Sequence, residues 1–262
     1  MGTTSIASQS SHIAVEIASP VARIGLLHPP LNVIDIPMME ELARTLAAID
    51  ARTDVSVIVI RGAGKAFSAG VDVAAHSPDK VEQMLAKFHG VVRALVATKK
   101  VTIAVVHGLC LGGGAELAMV CDVVFTGDDA EWGFPEIKLG CFPPVACTAL
   151  AALVGQKRAA ELILTGRSVT GKEAAEMGLA THSAPESHLD SAVHACVGQL
   201  LRLSPAALAV AKKASYAWDS MHFDKGLARA EKVYFEDLMK TADAEEGLRA
   251  FIEKRQPKWT GE

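Results

Sequence analysis

The stretch His107-Gly108-Leu109-Cys110-Leu111-Gly112-Gly113-Gly114-Ala115-Glu116 decides how this chain is read. Before it, Thr102–His107 is apolar and reads as a buried strand. After it, Ala115–Cys121 reads as a helix. Glycines let the backbone approach a ligand closely and adopt conformations other residues avoid. A helix start leaves N–H groups unpaired, and its dipole favours negative charge. The turn can therefore hold a phosphate or an oxyanion. A dinucleotide fingerprint does not fit, because the strand is late and the glycine spacing is wrong. A Walker loop fails for want of Gly-Lys-Ser/Thr. A tight turn without chemistry stays open on the glycines alone. Glu116 favours the chemical reading, since a carboxylate in the first helical turn faces the ligand side. Its bland role is compensation of the helix dipole, worth a few tenths to ~1 kcal/mol.

Working outward, His12–Ala18 and Val21–Leu27 read as a hairpin broken at Ser19-Pro20. Pro37 opens a helix to about Arg52, with Met38, Leu42, Leu46 and Ile49 at helical spacing. Val55–Arg61 is a nearly all-apolar strand suited to burial on both faces. Phe67–Val73 is a compact segment, 78–97 an amphipathic helix, and Asp122–Thr126 a strand. From Pro144 the pattern is helical almost throughout, over 145–153, 155–165, 170–177, 186–203, 204–219, 222–241 and 243–254. Alternating strand and helix followed by helix alone predicts an α/β core with a helical C-terminal module.

The whole chain narrows the function classes. Its 262 residues carry a formal net charge of −4 with no long basic run, which argues against nucleic acid as a partner. Five cysteines without a C-x-x-C pair fit free thiols in a reducing compartment better than zinc or a disulfide framework. The histidines are scattered and predict no metal site. The first eleven residues lack the features of a secretory signal. No uncharged apolar run reaches the ~18 residues a membrane span needs. These readings predict a cytoplasmic protein.

Four segments together resemble the enoyl-CoA hydratase (crotonase) superfamily, in that family's order and spacing. They are Leu26–Val33 with the following helix, Phe67-Ser68-Ala69-Gly70-Val71-Asp72, His107–Asp122, and Trp132–Gly140. Leu162–Gly166 and Ala174–Leu179 match as well. The resemblance implies a spiral of repeated strand–strand–helix units over residues 12–200, after a flexible tail over 1–11. It implies a helical trimerisation region over 201–262, in a homotrimer or homohexamer. It implies a coenzyme A thioester as substrate, so that coenzyme A is no separate cofactor. Carried over by position, the oxyanion-hole N–H groups belong to Val71 and Gly113, and the backbone near Ala69 meets the adenine end of coenzyme A. Gly70, Asp72 and Gly112 belong to the same substrate-binding turns.

Superfamily members share the oxyanion hole and differ in their acid–base groups. The two glutamates that hold a water in hydratases map onto Glu116 and Glu136, with Glu116 activating the water and Glu136 exchanging the proton at the α-carbon. Paired carboxylates around one water allow one to take a proton while the other delivers one. Without the resemblance, Glu136 reads as a surface carboxylate after a proline. The segment Gly140-Cys141-Phe142-Pro143-Pro144-Val145-Ala146 departs from common fatty-acid hydratases, as does Ala74-Ala75-His76. Both resemble hydratases of cyclohexa-1,5-diene-1-carbonyl-CoA. Phe142 and Pro143 would wall a pocket for a cyclic acyl group, with His76 lining it or simply opening the next helix. Lys212, Lys213 and Lys225 either reach coenzyme A phosphates or are solvated. Isomerisation, decarboxylation and ring hydrolysis on the same scaffold are the rival reactions. A non-catalytic acyl-CoA-binding subunit is the rival of another class.

Overall fold

The computed structural model describes residues 4–6, 12–77 and 79–260; the side chains of 4–6 and 217–222 lie outside that description. Seven strands form the main sheet: β1 (Thr4–Ile6), β2 (Ile13–Ala18), β3 (Val21–Leu26), β4 (Val57–Gly62), β5 (Val101–Val106), β7 (Val123–Gly127) and β10 (His182–Ala184), side by side in that order. β1 pairs antiparallel with β2 and β2 with β3, whereas β3, β4, β5, β7 and β10 are parallel to one another. A second sheet has the order β6 (Leu109–Leu111), β8 (Glu131–Gly133), β9 (Ser168–Thr170). The helices are α1 (Ile36–Asp50), α2 (Val81–Ala97), α3 (Gly113–Met119), α4 (Pro144–Val154), α5 (Gln156–Thr165), α6 (Gly171–Glu176), α7 (Glu186–Leu200), α8 (Pro205–Glu236) and α9 (Ala242–Ile252).

Strand alternation explains the two layers. Ile58 and Ile60 of β4 join the large core with α1 and α2, which contribute Met38, Leu42, Leu46, Phe88, Val92 and Leu95. Val57 and Val59 point the other way, into a smaller cluster with Val101, Ile103, Val105 and the α7 residues Leu189 and Val197. An uninterrupted apolar strand is what a parallel sheet covered on both faces requires. Each buried aliphatic side chain contributes roughly 1.5–3 kcal/mol relative to exposure.

Three expectations change. Thr4–Ile6, expected within a flexible tail, is an edge strand paired to β2; residues 1–3 and 7–11 lie outside the described residues. The helices expected over 204–219 and 222–241 are one helix, α8, followed by a short turn at Leu238–Lys240. No proline or glycine breaks the chain near Ser220, and Phe223, Leu227 and Tyr234 bury the downstream half against the large core. The helix after the glycines begins at Gly113, two residues earlier than its apolar pattern suggested. The short strands β6, β9 and β10 gave no sequence signal, since three residues carry no period. Among the described residues no single helix is long and apolar enough to cross a membrane.

Candidate active site

The site is built where two backbone segments are laced together. Ser68 N donates to Leu109 O (3.1 Å) and Leu111 N to Ser68 O (3.0 Å). Ile34 N donates to Gly70 O (2.9 Å), and Asp72 N returns to Ile34 O (3.1 Å). A parallel bridge of this kind pairs Ile34 with both sides of Val71, so the N–H and C=O of Val71 itself point the other way. Gly113 lies on that far side: a methyl group built on its Cα would stand 3.4 Å from the Val71 nitrogen. As the first residue of α3, Gly113 has no helical acceptor for its N–H.

The glycines are there for space. Gly112 has φ 51°, which side chains disfavour, and a methyl on it would lie 2.5 Å from Glu136 Oε1. A methyl on Gly114 would lie 2.8 Å from both Cβ and the carbonyl oxygen of Ser68. The loop they face is held from behind by Asn32. Its buried amide donates to the carbonyls of Ala63 and Ala66, each at 2.8 Å, and the Ser68 hydroxyl donates to Asn32 O at 2.8 Å.

Glu116 leaves the first turn of α3 and is buried; its Oε1 accepts the N–H of Ala146 at 2.9 Å. Glu136 rises from the turn Pro135–Leu139, which Gly140 ends in a left-handed conformation. Glu136 as a residue is half-buried, yet its Oε2 is fully shielded and without a hydrogen-bond partner among the described residues. Burial raises the proton affinity of both carboxyls. Glu136 is raised further by the charge of Glu116, whereas the N–H groups of Ala146 and Val145 partly offset the burial of Glu116. The pair therefore favours sharing a proton near neutral pH, with the charge resting on Glu116.

The other predicted residues divide. The ring of Phe142 lies 5.1 Å edge-on from that of Tyr234, and Pro143 caps α4. The N–H of Ala69 is spent on Leu31 O (2.9 Å). Asp72 caps the turn Val73–His76 through Ala74 N (3.1 Å), and His76 Nδ1 donates to Asp72 O (3.1 Å), with burial lowering its pKa. Lys212 is not solvated: its ammonium meets Asp122 at 2.7 Å and Lys100 O at 2.9 Å. Asn32 and Tyr234 were missed as site residues, because their roles rest on tertiary contacts alone. His12, His28 and Asp35, far apart in sequence, place three ligand-capable atoms within 4.8 Å of one another. Each is already engaged: His12 Nδ1 with Asp35 Oδ1 (2.9 Å), His28 Nδ1 with Val33 O (2.8 Å), and Asp35 Oδ1 with Met38 N (2.9 Å).

The structure thus brings together a glycine turn at a positive φ, a helix start and two buried carboxyls of raised proton affinity. Residues 16–262 match the sequence pattern of the family described as enoyl-CoA hydratase/isomerase, and the chain belongs to that family. It is similar to the cyclohexa-1,5-dienecarbonyl-CoA hydratase of Thauera aromatica, with 33% identity over 97% of this chain and 98% of that one. A probable enoyl-CoA hydratase of Rhizobium meliloti is 38% identical over 93% of this chain and 96% of its own. The crystal structure of an enoyl-CoA hydratase from Mycobacterium avium subsp. paratuberculosis K-10 superposes with a TM-score of 0.86 at 27% identity, covering 95% of this chain and 99% of that one. The protein is thus a crotonase-superfamily enzyme with activity of the enoyl-CoA hydratase type.

Proposed function

We propose that the protein adds water across the conjugated double bond of an acyl-CoA thioester, with Glu116 and Glu136 as its acid–base pair. The observation that carries this reading is the pair itself. Two carboxyls with raised proton affinity converge beside a glycine helix start, where a simple binder would have no use for them. Ionised Glu116 takes a proton from the water as its oxygen bonds to the β-carbon. Negative charge moves to the thioester oxygen, where the N–H groups of Val71 and Gly113 hold it; one such donor is typically worth ~3–4 kcal/mol. Protonated Glu136 then delivers its proton to the α-carbon. One water has been added, and the proton has passed from Glu136 to Glu116.

Incubation with crotonyl-CoA is the test. The conjugated thioester absorbance should fall, and α-protons should exchange with deuterated water. No change in either overturns the reading. Replacing either glutamate with glutamine should abolish hydration, whereas an isomerase would tolerate losing one.

A cyclic dienoyl-CoA is the second substrate reading, favoured by the Thauera aromatica relative and by the wall of Phe142, Pro143 and Pro144. It requires turnover of cyclohexa-1,5-dienecarbonyl-CoA at a higher kcat/KM than crotonyl-CoA. For assembly we propose a homotrimer or a dimer of trimers in the cytoplasm. Leu203 in the α7–α8 connection and Val210, Phe251 and Ile252 on the C-terminal helices support it, since each is more than half exposed in the isolated chain. Light scattering should then give three or six times the 27.6 kDa chain mass.

A further inference from the structure

Tyr234 is 1% exposed, yet its hydroxyl has no hydrogen-bond partner among the described residues. It comes from α8, more than ninety positions from the glutamates in sequence, and its ring packs edge-on against Phe142. The Cys141 thiol acts on the phenol, but it gives its own hydrogen to Leu139 O at 3.7 Å, and sulfur is a weak acceptor. The charges of Glu136 and Glu116 both act on the phenol, and its ring partner Phe142 lies in the segment between Glu136 and Ala146, whose N–H donates to Glu116. The phenol's pKa is pushed far up by burial, so it is a donor at all working pH values.

Burying a hydroxyl without a partner is costly, and phenylalanine would fill the same space without that cost. A buried hydroxyl without a partner, together with an orphaned Glu136 Oε2 whose charge acts on it, points to a partner that arrives with the ligand. Taking the hydratase reading as its basis, we propose that Tyr234 is a specificity-determining residue that donates a hydrogen bond to an uncharged oxygen on the acyl group. The charge environment restricts that oxygen. Glu116 and Glu136 repel an anionic acyl chain, and Phe142 supplies no counter-charge, so hydroxyl and keto oxygens fit while a carboxylate does not. On the hydratase reading these two carboxylates act on the α- and β-carbons, and because their charges reach the phenol the recognised oxygen lies at or just beyond the β-carbon.

Four unreactive thioesters of equal length test this by titration calorimetry on the protein and on Tyr234→Phe. Butyryl-CoA carries no extra oxygen, acetoacetyl-CoA a keto oxygen at the β-carbon, 4-hydroxybutyryl-CoA a hydroxyl one carbon further, and succinyl-CoA a carboxylate. The native protein should bind acetoacetyl-CoA or 4-hydroxybutyryl-CoA about tenfold more tightly than butyryl-CoA, and succinyl-CoA more weakly than both. Tyr234→Phe should erase the preference and leave butyryl-CoA affinity unchanged, which also shows that the variant is folded. Whichever oxygenated thioester loses affinity tells whether the recognised oxygen sits where water adds or on a substituent beyond it. A preference that survives in Tyr234→Phe, or an equal loss for all four ligands, overturns the proposal. None of these ligands is turned over, so the result stands apart from failure of the hydration assay.

Discussion

Gly112 and Glu136 are in contact across the turn: a methyl group on the glycine would lie 2.5 Å from Glu136 Oε1 and 3.3 Å from its Cδ. The backbone that begins α3 is thus one wall of the carboxylate's seat. Gly112→Ala combines a disfavoured φ of 51° with displacement of that carboxylate. Hydration should fall more than a hundredfold while acyl-CoA binding falls far less. Equal losses in kcat and binding would show that the turn merely collapses.

The pH dependence follows from the shared proton. In the proposed hydration Glu116 must be ionised to act as base, and burial raises its pKa to about 7. Glu136 would keep its proton to act as acid, and burial raises its pKa to about 8. The kcat/KM profile should be a narrow bell between these limits, belonging to the pair rather than to either residue. A flat profile between pH 6 and 9 would sink the assignment.

The same shifts tax stability. Both folded pKa values lie above the unfolded carboxylate range, so the folded state binds more protons. The contribution is full below about pH 4.5 and is lost as pH rises through about 7 to 8. Glu136→Gln removes a group that must ionise in a buried place. It should therefore be more stable than the native protein at pH 9, on the order of 2 kcal/mol, and little different at pH 5. Urea midpoints at the two pH values check this.

Asn32 carries a larger burden than a loop residue usually does. Its side chain is fully buried, it adopts φ 52°, and it ties the carbonyls of Ala63 and Ala66 behind the Ser68–Val71 turn. Asn32→Ala leaves those carbonyls unpaired and should cost roughly 2–4 kcal/mol of folding stability. Denaturation in urea is the measurement, and a loss below 0.5 kcal/mol would remove Asn32 from this role.

What could be read from sequence was local. The path from Thr102 through Gly114 to Glu116 shows itself because a buried strand, a glycine turn and a helix start each have their own residue signature. The value of Glu136 was visible only through family resemblance, since one carboxylate after a proline has no physical signature. Asn32 and Tyr234 were not visible at all. Their roles depend on partners 31 or more positions away, and an asparagine or a tyrosine in isolation reads as loop or core. The continuity of α8 was likewise hidden, because packing of Phe223 and Leu227 rather than helix propensity holds it.

α9 gives the Glu136 turn a remote support. Gly247 approaches Leu139 O so closely that no side chain would fit, and a methyl on Gly140 would stand 2.7 Å from Asp243 O. The turn carrying Glu136 therefore rests on a helix distant from it in sequence, and a change in α9 would reach the carboxylate through packing alone. Gly247→Ala should lower hydration more than acyl-CoA binding; equal losses in both would show that Glu136 keeps its seat without α9.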